Sequence, residues 1–345
     1  AGLGLEALLF QKARLAGVPG PEVFYVLGEH DRLGEGFIME WIEGETLGAR
    51  IVRAPAFDAI RPKLAYQCGE ILARIHAIDL DHAGLSGKFE IKTPRDLIEE
   101  FNHRYQSFDT PQPMIDYTAR WLKENVPDNA KPCLAHGDFR NGNLIVDPNM
   151  GIVAVLDWEV AHVGDPVRDL GWLCTNSWRF GNIGLPVGGF GEVDDLLRGY
   201  ESVSRQSIDR GHLRFWEVFG SFSWAVGCLG MVERHRKGLD SSIERISIGR
   251  RSSECQIDCV NALIPGPVHV PSARAAIKSP DMPSSKELLD SISKYLREDV
   301  MAETDGRGRF MARVAANSLE IIDRENAMSA ANIAFERTAL IDLLG

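Results

Sequence analysis

The sequence is organised around residues 134–170, LAHGDFRNGNLIVDPNMGIVAVLDWEVAHVGDPVRDL. Two apolar, β-branched runs lie within it, at residues 144–146 and 152–156. They flank an Asp-Pro-Asn segment at residues 147–149, and these residue types favour tight turns. The pattern predicts a β-hairpin, which returns the chain to the edge where it started.

Three polar residues border this hairpin: Asp138 and Asn143 before it, and Asp157 after it. Phosphoryl transfer needs a carboxylate that orients the attacking hydroxyl, and oxygen ligands that hold Mg²⁺ on the nucleotide phosphates. The protein-kinase template supplies them as an Asp, an Asn five residues later, and a second Asp beyond a hairpin. The order and spacing here are the same, so the three side chains are expected to meet.

The stretch resembles the catalytic segment of the aminoglycoside phosphotransferase and choline kinase-like family. In that family the loop reads H-G-D-x-x-x-x-N and the metal-binding Asp opens a D-x-x segment, which residues 136–143 and 157–159 match. The D-W-E segment and the run from residue 164 to 191 most resemble the branch related to domains fused to acyl-CoA dehydrogenases. The resemblance covers roughly residues 3–260.

The resemblance implies transfer of the γ-phosphoryl group of ATP or GTP to a hydroxyl of a small molecule. Asp138 would be the catalytic base, and Asn143 and Asp157 would hold Mg²⁺. His136 and Arg140 belong to the same catalytic segment. Arg140 would either neutralise phosphate charge or brace Asp138.

The resemblance also assigns a nucleotide site near the start of the chain. A predicted helix at residues 3–16 and strands at 23–27 and 37–42 follow the family's order of helix C, strand four, strand five and hinge. Glu6 would be the helix-C Glu that pairs with a phosphate-binding Lys, with a solvated helix charge as the equal alternative. The hinge residues, whose backbone meets adenine, would be Glu40, Trp41 and Ile42.

The family places a glycine-containing loop and a Lys-bearing strand before helix C, and the printed sequence begins at Ala1 without them. We therefore expect an α+β, protein kinase-like bilobal fold with most of the N-lobe absent from this chain. A fragment of a longer protein is the favoured explanation, because a hairpin with an uncovered edge is a poor free-standing structure. The rival hypothesis is a non-catalytic, kinase-like binding or scaffold protein.

Family segments after the metal-binding Asp line the acceptor site, which makes Glu159, Trp178 and Arg179 candidate substrate contacts. Arg168 together with Arg179 would suit an anionic acceptor more than an aminoglycoside polycation. The resemblance to the acyl-CoA dehydrogenase-fused branch suggests a hydroxyacyl thioester or a similar acceptor. A metal-dependent hydrolase is disfavoured, because His136 and His162 lack partners at the usual ligand spacings.

Two residues of the G-D-P-x-x-D-L segment are expected to be structural. Asp165 fits an N-cap, with Pro166 at the first helical position. Asp169 is expected to brace the catalytic loop, which is the H-G-D-x-x-x-x-N segment at residues 136–143. His76, at the end of a predicted helix, is expected to be buried beneath that loop.

The resemblance implies a mainly helical C-lobe, which we place at residues 43–263, after an N-lobe remnant and hinge at 1–42. Its predicted helices lie at residues 58–78, 94–106, 113–125, 213–231 and 241–263. A Pro-rich linker at 264–283 leads to a helical module at 284–345, which we expect to dimerise or dock. A capping box of Ser284 and Glu287 opens that module, and further helices are predicted at 310–324 and 327–343.

Bulk properties limit the function classes. Of 345 residues, 44% are hydrophobic and 25% charged, as in ordinary globular proteins. The net charge of -11 argues against general nucleic-acid binding, which needs clustered Lys and Arg. No apolar run approaches the roughly 20 residues that span a bilayer, and the N-terminus does not resemble a signal peptide. Six cysteines without a C-x-x-C pair favour reduced thiols and a cytoplasmic setting.

Overall fold

The computed structural model describes residues 2–128, 131–268, 270–271 and 282–344. One compact unit holds residues 1–226 and 253–264, and a second holds residues 227–252 and 265–345. The domain boundaries expected from the sequence stay predictions. Residues 272–281 of the expected linker lie outside the described residues.

The described part of the chain is mostly helical. Its helices are α1 (Leu3–Leu15), α2 (Gly48–Arg53), α3 (Arg61–His76), α4 (Pro94–Gln106), α5 (Pro113–Glu124), α6 (Val167–Cys174), α7 (Val193–Ser204), α8 (Arg210–Arg236), α9 (Ile243–Gly249), α10 (Arg251–Leu263), α11 (Ser285–Tyr295), α12 (Met301–Glu303) and α13 (Gly306–Leu344). Its strands are β1 (Val23–Val26), β2 (Phe37–Met39), β3 (Cys133–Ala135), β4 (Leu144–Asp147), β5 (Gly151–Val155) and β6 (His162–Gly164).

The strands form three antiparallel pairs, β1 with β2, β3 with β6, and β4 with β5. Strands β4 and β5 form the hairpin that the sequence predicts, and Leu144 faces Val155 in it. The partner of β3 is a strand that the sequence analysis missed, because β6 has only three residues and pairs with a distant segment. The β3–β6 pair carries one end of the catalytic loop, and the hairpin carries the other.

Helices α3 and α7 make the closest helix packing of the first unit, through two glycines. A Cβ atom at Gly69 would lie 2.1 Å from the carbonyl oxygen of Leu196, and one at Gly199 would lie 2.1 Å from that of Tyr66. Since real Cβ atoms never approach a backbone so closely, only glycine fits at both positions. The contact fixes α3, whose last residue is His76, beneath the catalytic loop.

The hairpin of β1 and β2 follows α1 in the order that the family resemblance implies. Several of its apolar side chains are exposed, including Phe24 at 61% and Ile38 at 53%. The expectation that most of the N-lobe is absent from this chain stays a prediction.

Three helix predictions are corrected by the structure. The helix expected at 241–263 is two helices, α9 and α10, which meet at Gly249, where a Cβ atom would lie 2.2 Å from Val232 Cγ2. The helices expected at 310–324 and 327–343 are one helix, α13, because the residues between them include no Gly or Pro to break it. Helix α6 begins after Pro166, which takes the N-cap position expected for Asp165. The Asp165 carboxylate still accepts the Val167 N–H, at 2.9 Å.

The second unit contains the predicted capping box. Ser284 Oγ accepts the Glu287 N–H at 3.3 Å, and the Glu287 carboxylate accepts the Ser284 N–H at 2.7 Å. Helix α11 continues through a π-helical segment, Leu296–Val300, into α12, and α13 follows. Helix α11 packs antiparallel on α13 through ion pairs of Lys286 with Asp323 and Arg297 with Glu320.

Helix α8 is long and apolar enough to cross a membrane by length and composition alone. Among the described residues it is the one such helix, and 67% of its apolar window is buried inside the protein. Core helices of globular proteins pass the same test, so α8 is weak evidence for a membrane span.

Candidate active site

The backbone of the catalytic loop is held by two consecutive residues of α6. The Asp169 carboxylate accepts the backbone N–H groups of His136, at 2.7 Å, and Gly137, at 2.9 Å. Arg168 Nη1 donates to the carbonyl oxygen of Gly137 at 3.0 Å. Gly137 has φ +85°, and a Cβ atom there would lie 2.6 Å from the Val160 carbonyl oxygen. Glycine therefore lets the loop turn against this neighbour.

The Asp169 carboxylate is fully buried and keeps its charge through its partners. His76 Nε2 lies 3.2 Å from Asp169 Oδ2, and His76 Nδ1 lies 3.0 Å from the Tyr200 hydroxyl. Burial raises the pKa of Asp169, but the His76 hydrogen bond and the nearby charges of His76 and Arg168 outweigh it and hold the pKa well below its usual range. Asp169 and His76 thus have the bracing positions that the sequence analysis expects.

His136 is fully buried, and both ring nitrogens contact backbone groups. Nδ1 accepts the Asp138 N–H at 3.2 Å, so Nε2 carries the proton and donates to the Leu156 carbonyl oxygen at 3.1 Å. The ring packs against Trp158, with centroids 4.6 Å apart. Burial lowers the pKa of His136, which favours the neutral ring. This geometry makes the predicted catalytic His136 a link between the loop and the hairpin exit, with no lone pair left for a metal ion.

The Asp138 carboxylate lies at the centre of the site and is held by three side chains. Oδ1 accepts Trp172 Nε1 at 2.7 Å and Arg140 Nε at 3.0 Å. Oδ2 accepts Asn143 Nδ2 at 2.7 Å. The Asp138 side chain remains 19% exposed, so a substrate hydroxyl can reach it.

Arg140 braces Asp138 in this structure and has a second contact with an aromatic ring. Its Nη1 donates to the Asn141 carbonyl oxygen at 2.8 Å, and its guanidinium carbon lies 4.4 Å from the centre of the Trp178 ring. Of the two roles considered for Arg140, the structure therefore shows the contact that would brace Asp138. A cation over an indole face retains its charge for a phosphate.

Asn141 is a site residue that the sequence analysis missed. Its side chain is fully buried, and Nδ2 donates to the carbonyl oxygens of Trp178, at 3.1 Å, and Gly188, at 2.6 Å. These bonds tie the catalytic loop to the aromatic and glycine-rich segment after α6. The one sequence signal that could have indicated a role for Asn141 is its place inside the H-G-D-x-x-x-x-N motif.

The β4–β5 hairpin brings Asn143 beside the residue that precedes Asp157. The Leu156 N–H donates to the Asn143 carbonyl oxygen at 2.8 Å. The Asn143 amide nitrogen is engaged by Asp138, so its oxygen is the atom available to a cation. Asp157 has φ +67°, a backbone conformation that is uncommon outside glycine and often marks a functional residue.

Glu6 of α1 contacts the segment that carries Asp157. Its carboxylate accepts the Trp158 N–H at 3.3 Å. Burial is the largest influence and raises the pKa of Glu6, and the negative charges of Asp157 and Glu159 raise it further. Glu6 is thus partly buried, and its hydrogen-bond partner in this structure is a backbone amide. Its role in nucleotide binding stays a prediction.

The expected hinge residues follow β2. Glu40 Oε2 accepts the Glu22 N–H at 3.2 Å, and Trp41 is 85% exposed, with Nε1 donating to Glu43 at 2.9 Å. Ile42 is partly buried.

The side chains of the three candidate substrate contacts differ in their exposure to solvent. Glu159 is exposed, whereas Trp178 is buried beneath the Arg140 guanidinium. Arg179 donates to the Cys174 carbonyl oxygen at 2.6 Å and to Glu217 at 2.5 Å. Arg168 is bound to the loop backbone. Neither arginine is therefore placed to attract an anionic acceptor, contrary to the expectation from the sequence.

The chain is similar to known proteins in sequence and in fold. A family model described as "Phosphotransferase enzyme family" matches residues 5–204, and one described as "Domain of unknown function (DUF6285)" matches residues 302–345. Acyl-CoA dehydrogenase family member 10 of Mus musculus is 31% identical over 245 residues, which are 66% of this chain. The match spans only 22% of the length of that relative.

Two solved structures are similar in fold. One is a protein assigned as an aminoglycoside phosphotransferase from Ralstonia eutropha, with a TM-score of 0.62 and 24% identity, covering 75% of this chain and 83% of that one. The other is a choline/ethanolamine kinase family protein from Mesorhizobium loti, with a TM-score of 0.53 and 17% identity, covering 75% and 78%. At these identities the likeness shows the fold alone.

Proposed function

The chain belongs to the phosphotransferase enzyme family, and from that premise we propose that it transfers the γ-phosphoryl group of ATP or GTP to a hydroxyl of a small molecule. The observation that carries the proposal is the Asp138 carboxylate, fixed by three donors yet open to solvent. A fixed carboxylate beside an oxygen ligand for Mg²⁺ suits in-line attack by a hydroxyl.

Asp138 would accept the proton of the acceptor hydroxyl as its oxygen attacks the γ-phosphorus. Arg140 would shift its charge toward the transferred phosphoryl group, since its guanidinium already lies at the carboxylate. Asp169 and His136 would hold the loop backbone in place during the reaction.

Mg²⁺ fits the donor set at the hairpin. Asn143 offers an amide oxygen and Asp157 a carboxylate, and Mg²⁺ prefers a few such ligands completed by phosphates and water. The negative charges of Asp157 and Glu159 raise the pKa of Glu6, and a cation would relieve this repulsion. When bound, Mg²⁺ supplies charge neutralisation on the nucleotide phosphates.

For the nucleotide we propose ATP or GTP bound at the hinge, Glu40 to Ile42, with Glu6 near the phosphate end. For the acceptor we propose a hydroxyacyl compound such as a hydroxyacyl thioester, because the similar curated protein is named an acyl-CoA dehydrogenase family member. An acceptor screen in which only aminoglycosides are phosphorylated would exclude this acceptor class.

The test is nucleotide binding by calorimetry, with and without Mg²⁺, on the full open reading frame. We expect wild type to bind ATP or GTP and Asp157→Ala to lose the Mg²⁺-dependent part of the affinity, because one of two protein ligands is gone. Asp58→Ala, which removes a carboxylate that is 67% exposed, is the matched control and should bind as wild type does. If intact wild type binds neither nucleotide, the non-catalytic scaffold function replaces this proposal.

We further propose a homodimer through the end of α13. Lys286 of α11 contacts α13 at Asp323, and beyond Asp323 the exposed apolar side chains of α13 include Ile333, Leu340 and Ile341. Glu336 and Arg337 lie between them, so a second copy laid antiparallel would set each Glu336 against an Arg337 and join the two apolar stripes. A cytoplasmic location is proposed because the six cysteines, all of which lie in the described part, are reduced thiols.

A further inference from the structure

The two oxygens of the Asp138 carboxylate differ in their hydrogen bonds. Oδ1 accepts two N–H donors, Trp172 Nε1 at 2.7 Å and Arg140 Nε at 3.0 Å. Oδ2 accepts one side-chain donor, Asn143 Nδ2 at 2.7 Å. Because a carboxylate oxygen offers about two acceptor positions, Oδ1 is saturated and Oδ2 keeps one position for a substrate hydroxyl.

Trp172 is well placed to hold this arrangement. It follows Asp169 by three residues on α6, so both side chains project from the same face of the helix. Asp169 binds the backbone of the catalytic loop, and Trp172 binds its carboxylate. The Trp172 ring packs edge-on against Trp178, with centroids 5.0 Å apart, which limits its rotation.

Arg140 and Trp172 differ in what a bound nucleotide does to them. The Arg140 charge is attracted by the phosphates, whereas the neutral indole N–H is not. Trp172 is thus the donor that stays on Oδ1 when the nucleotide is present.

We infer that Trp172 is a positioning residue that makes Oδ2 of Asp138 the oxygen that receives the acceptor's proton. The inference rests on the proposed phosphoryl transfer. In that step the acceptor O–H bond breaks, its proton passes to Oδ2, and the acceptor oxygen bonds to the γ-phosphorus. The bond from the γ-phosphorus to the β,γ-bridging oxygen breaks, and the nucleoside diphosphate leaves.

The test compares Trp172→Phe with Trp216→Phe in the full-length protein. Trp216 Nε1 of α8 donates to the Asp165 carboxylate at 3.0 Å, so its replacement removes the same kind of bond away from the catalytic loop. The substrates are MgATP or MgGTP with either water or 3-hydroxybutyryl-CoA as acceptor. Phosphate release, the phosphorylated acyl-CoA product and thermal unfolding are measured together.

Losing one of the two donors on Oδ1 lets the carboxylate rotate, so we expect Trp172→Phe to lower kcat by about 100-fold, as for the loss of a single positioning or donor group. The KM for the nucleotide should stay within about twofold, since the hydrogen bond does not involve the nucleotide. The kcat of Trp216→Phe should stay within about threefold of the wild-type value, whatever the substitution does to thermal unfolding.

A second variant covers the case in which Trp172→Phe fails to fold. Replacing Trp172 with 3-benzothienylalanine keeps the ring shape and exchanges the N–H for sulfur, so the same fall in kcat is expected. If wild type is active and these variants match Trp216→Phe in kcat, the inference about Trp172 is wrong and the proposed function stands. If wild type transfers phosphoryl to neither acceptor, both are wrong.

Discussion

The His162 imidazole is a buried titratable group that makes folding depend on pH. Its Nδ1 donates to the Val160 carbonyl oxygen at 3.2 Å, and within the described residues its buried Nε2 has no partner. Burial, and next the charge of Arg168, lower the pKa of His162 to about 4 from an ordinary 6.5. Protonation would charge a ring nitrogen that cannot be solvated.

The sign of the pH effect follows from the two pKa values. Between pH 6.5 and about 4 the unfolded chain binds the His162 proton and the folded chain does not, so the free energy of unfolding falls as pH falls through this window. The loss amounts to about 3–3.5 kcal/mol, present in full below pH 4. Urea unfolding at pH 7, 5.5 and 4.5 measures it.

His162→Gln is the matched variant, because an amide fills a similar volume without titrating. Its stability should fall less steeply over the same pH range, while His103→Gln, at an exposed position, should follow wild type. Parallel pH dependences for all three proteins would contradict the prediction.

The packing of α3 on α7 depends on two glycines, and this contact sets the helix that supports the catalytic loop. Gly69→Ala would bring a methyl group within 2.1 Å of a backbone oxygen that cannot rotate away. We expect the free energy of unfolding to drop by about 3 kcal/mol, the cost typical of overpacking. Denaturant unfolding measures the drop.

Gly4→Ala in α1 is the control for this prediction. It makes the same chemical change within a helix but meets no atom within 4 Å. Because alanine is the better helix former, this variant should be neutral or more stable by up to about 1 kcal/mol. Equal effects of the two substitutions would show that α3 and α7 do not make the close contact.

The proposed dimer is a property of the whole molecule that charge reversal can test. Arg337→Glu would set acidic residues against Glu336 of the second copy, so we expect the dimer to dissociate in sedimentation velocity. The double variant Glu336→Arg with Arg337→Glu restores opposite charges and should dimerise again. A wild type that is monomeric at about 100 μM would contradict the proposal, since even weak specific dimers with micromolar dissociation constants assemble there.

Leu340→Glu tests the apolar part of the same interface. Leu340 is 47% exposed, and a carboxylate there would have to be buried against the second copy. The matched control is Ile183→Glu, since Ile183 is an exposed apolar residue of the first unit, at 67%.

The sequence identifies the residues of the candidate site that lie close to one another along the chain. Asp138, Asn143 and Asp157 border one hairpin, and that hairpin forms as its β-branched runs and Asp-Pro-Asn turn predict. Helices α4 and α5 also match their predicted ranges within one residue, because apolar periodicity and N-terminal prolines mark them. The joined α13 and the divided α9–α10 were missed, because single Asn and Gly residues mark helix ends only weakly.

The sequence by itself determined the hairpin, its bordering Asp and Asn residues, and the family they indicate, since these depend on short spacings and local hydrogen bonds. Only the tertiary structure decided what holds those residues. Trp172 reaches Asp138 across 34 positions, and Glu6 reaches Trp158 across 152. Such contacts depend on how helices and strands pack, and no local pattern encodes a hydrogen bond between segments that meet only in the folded chain.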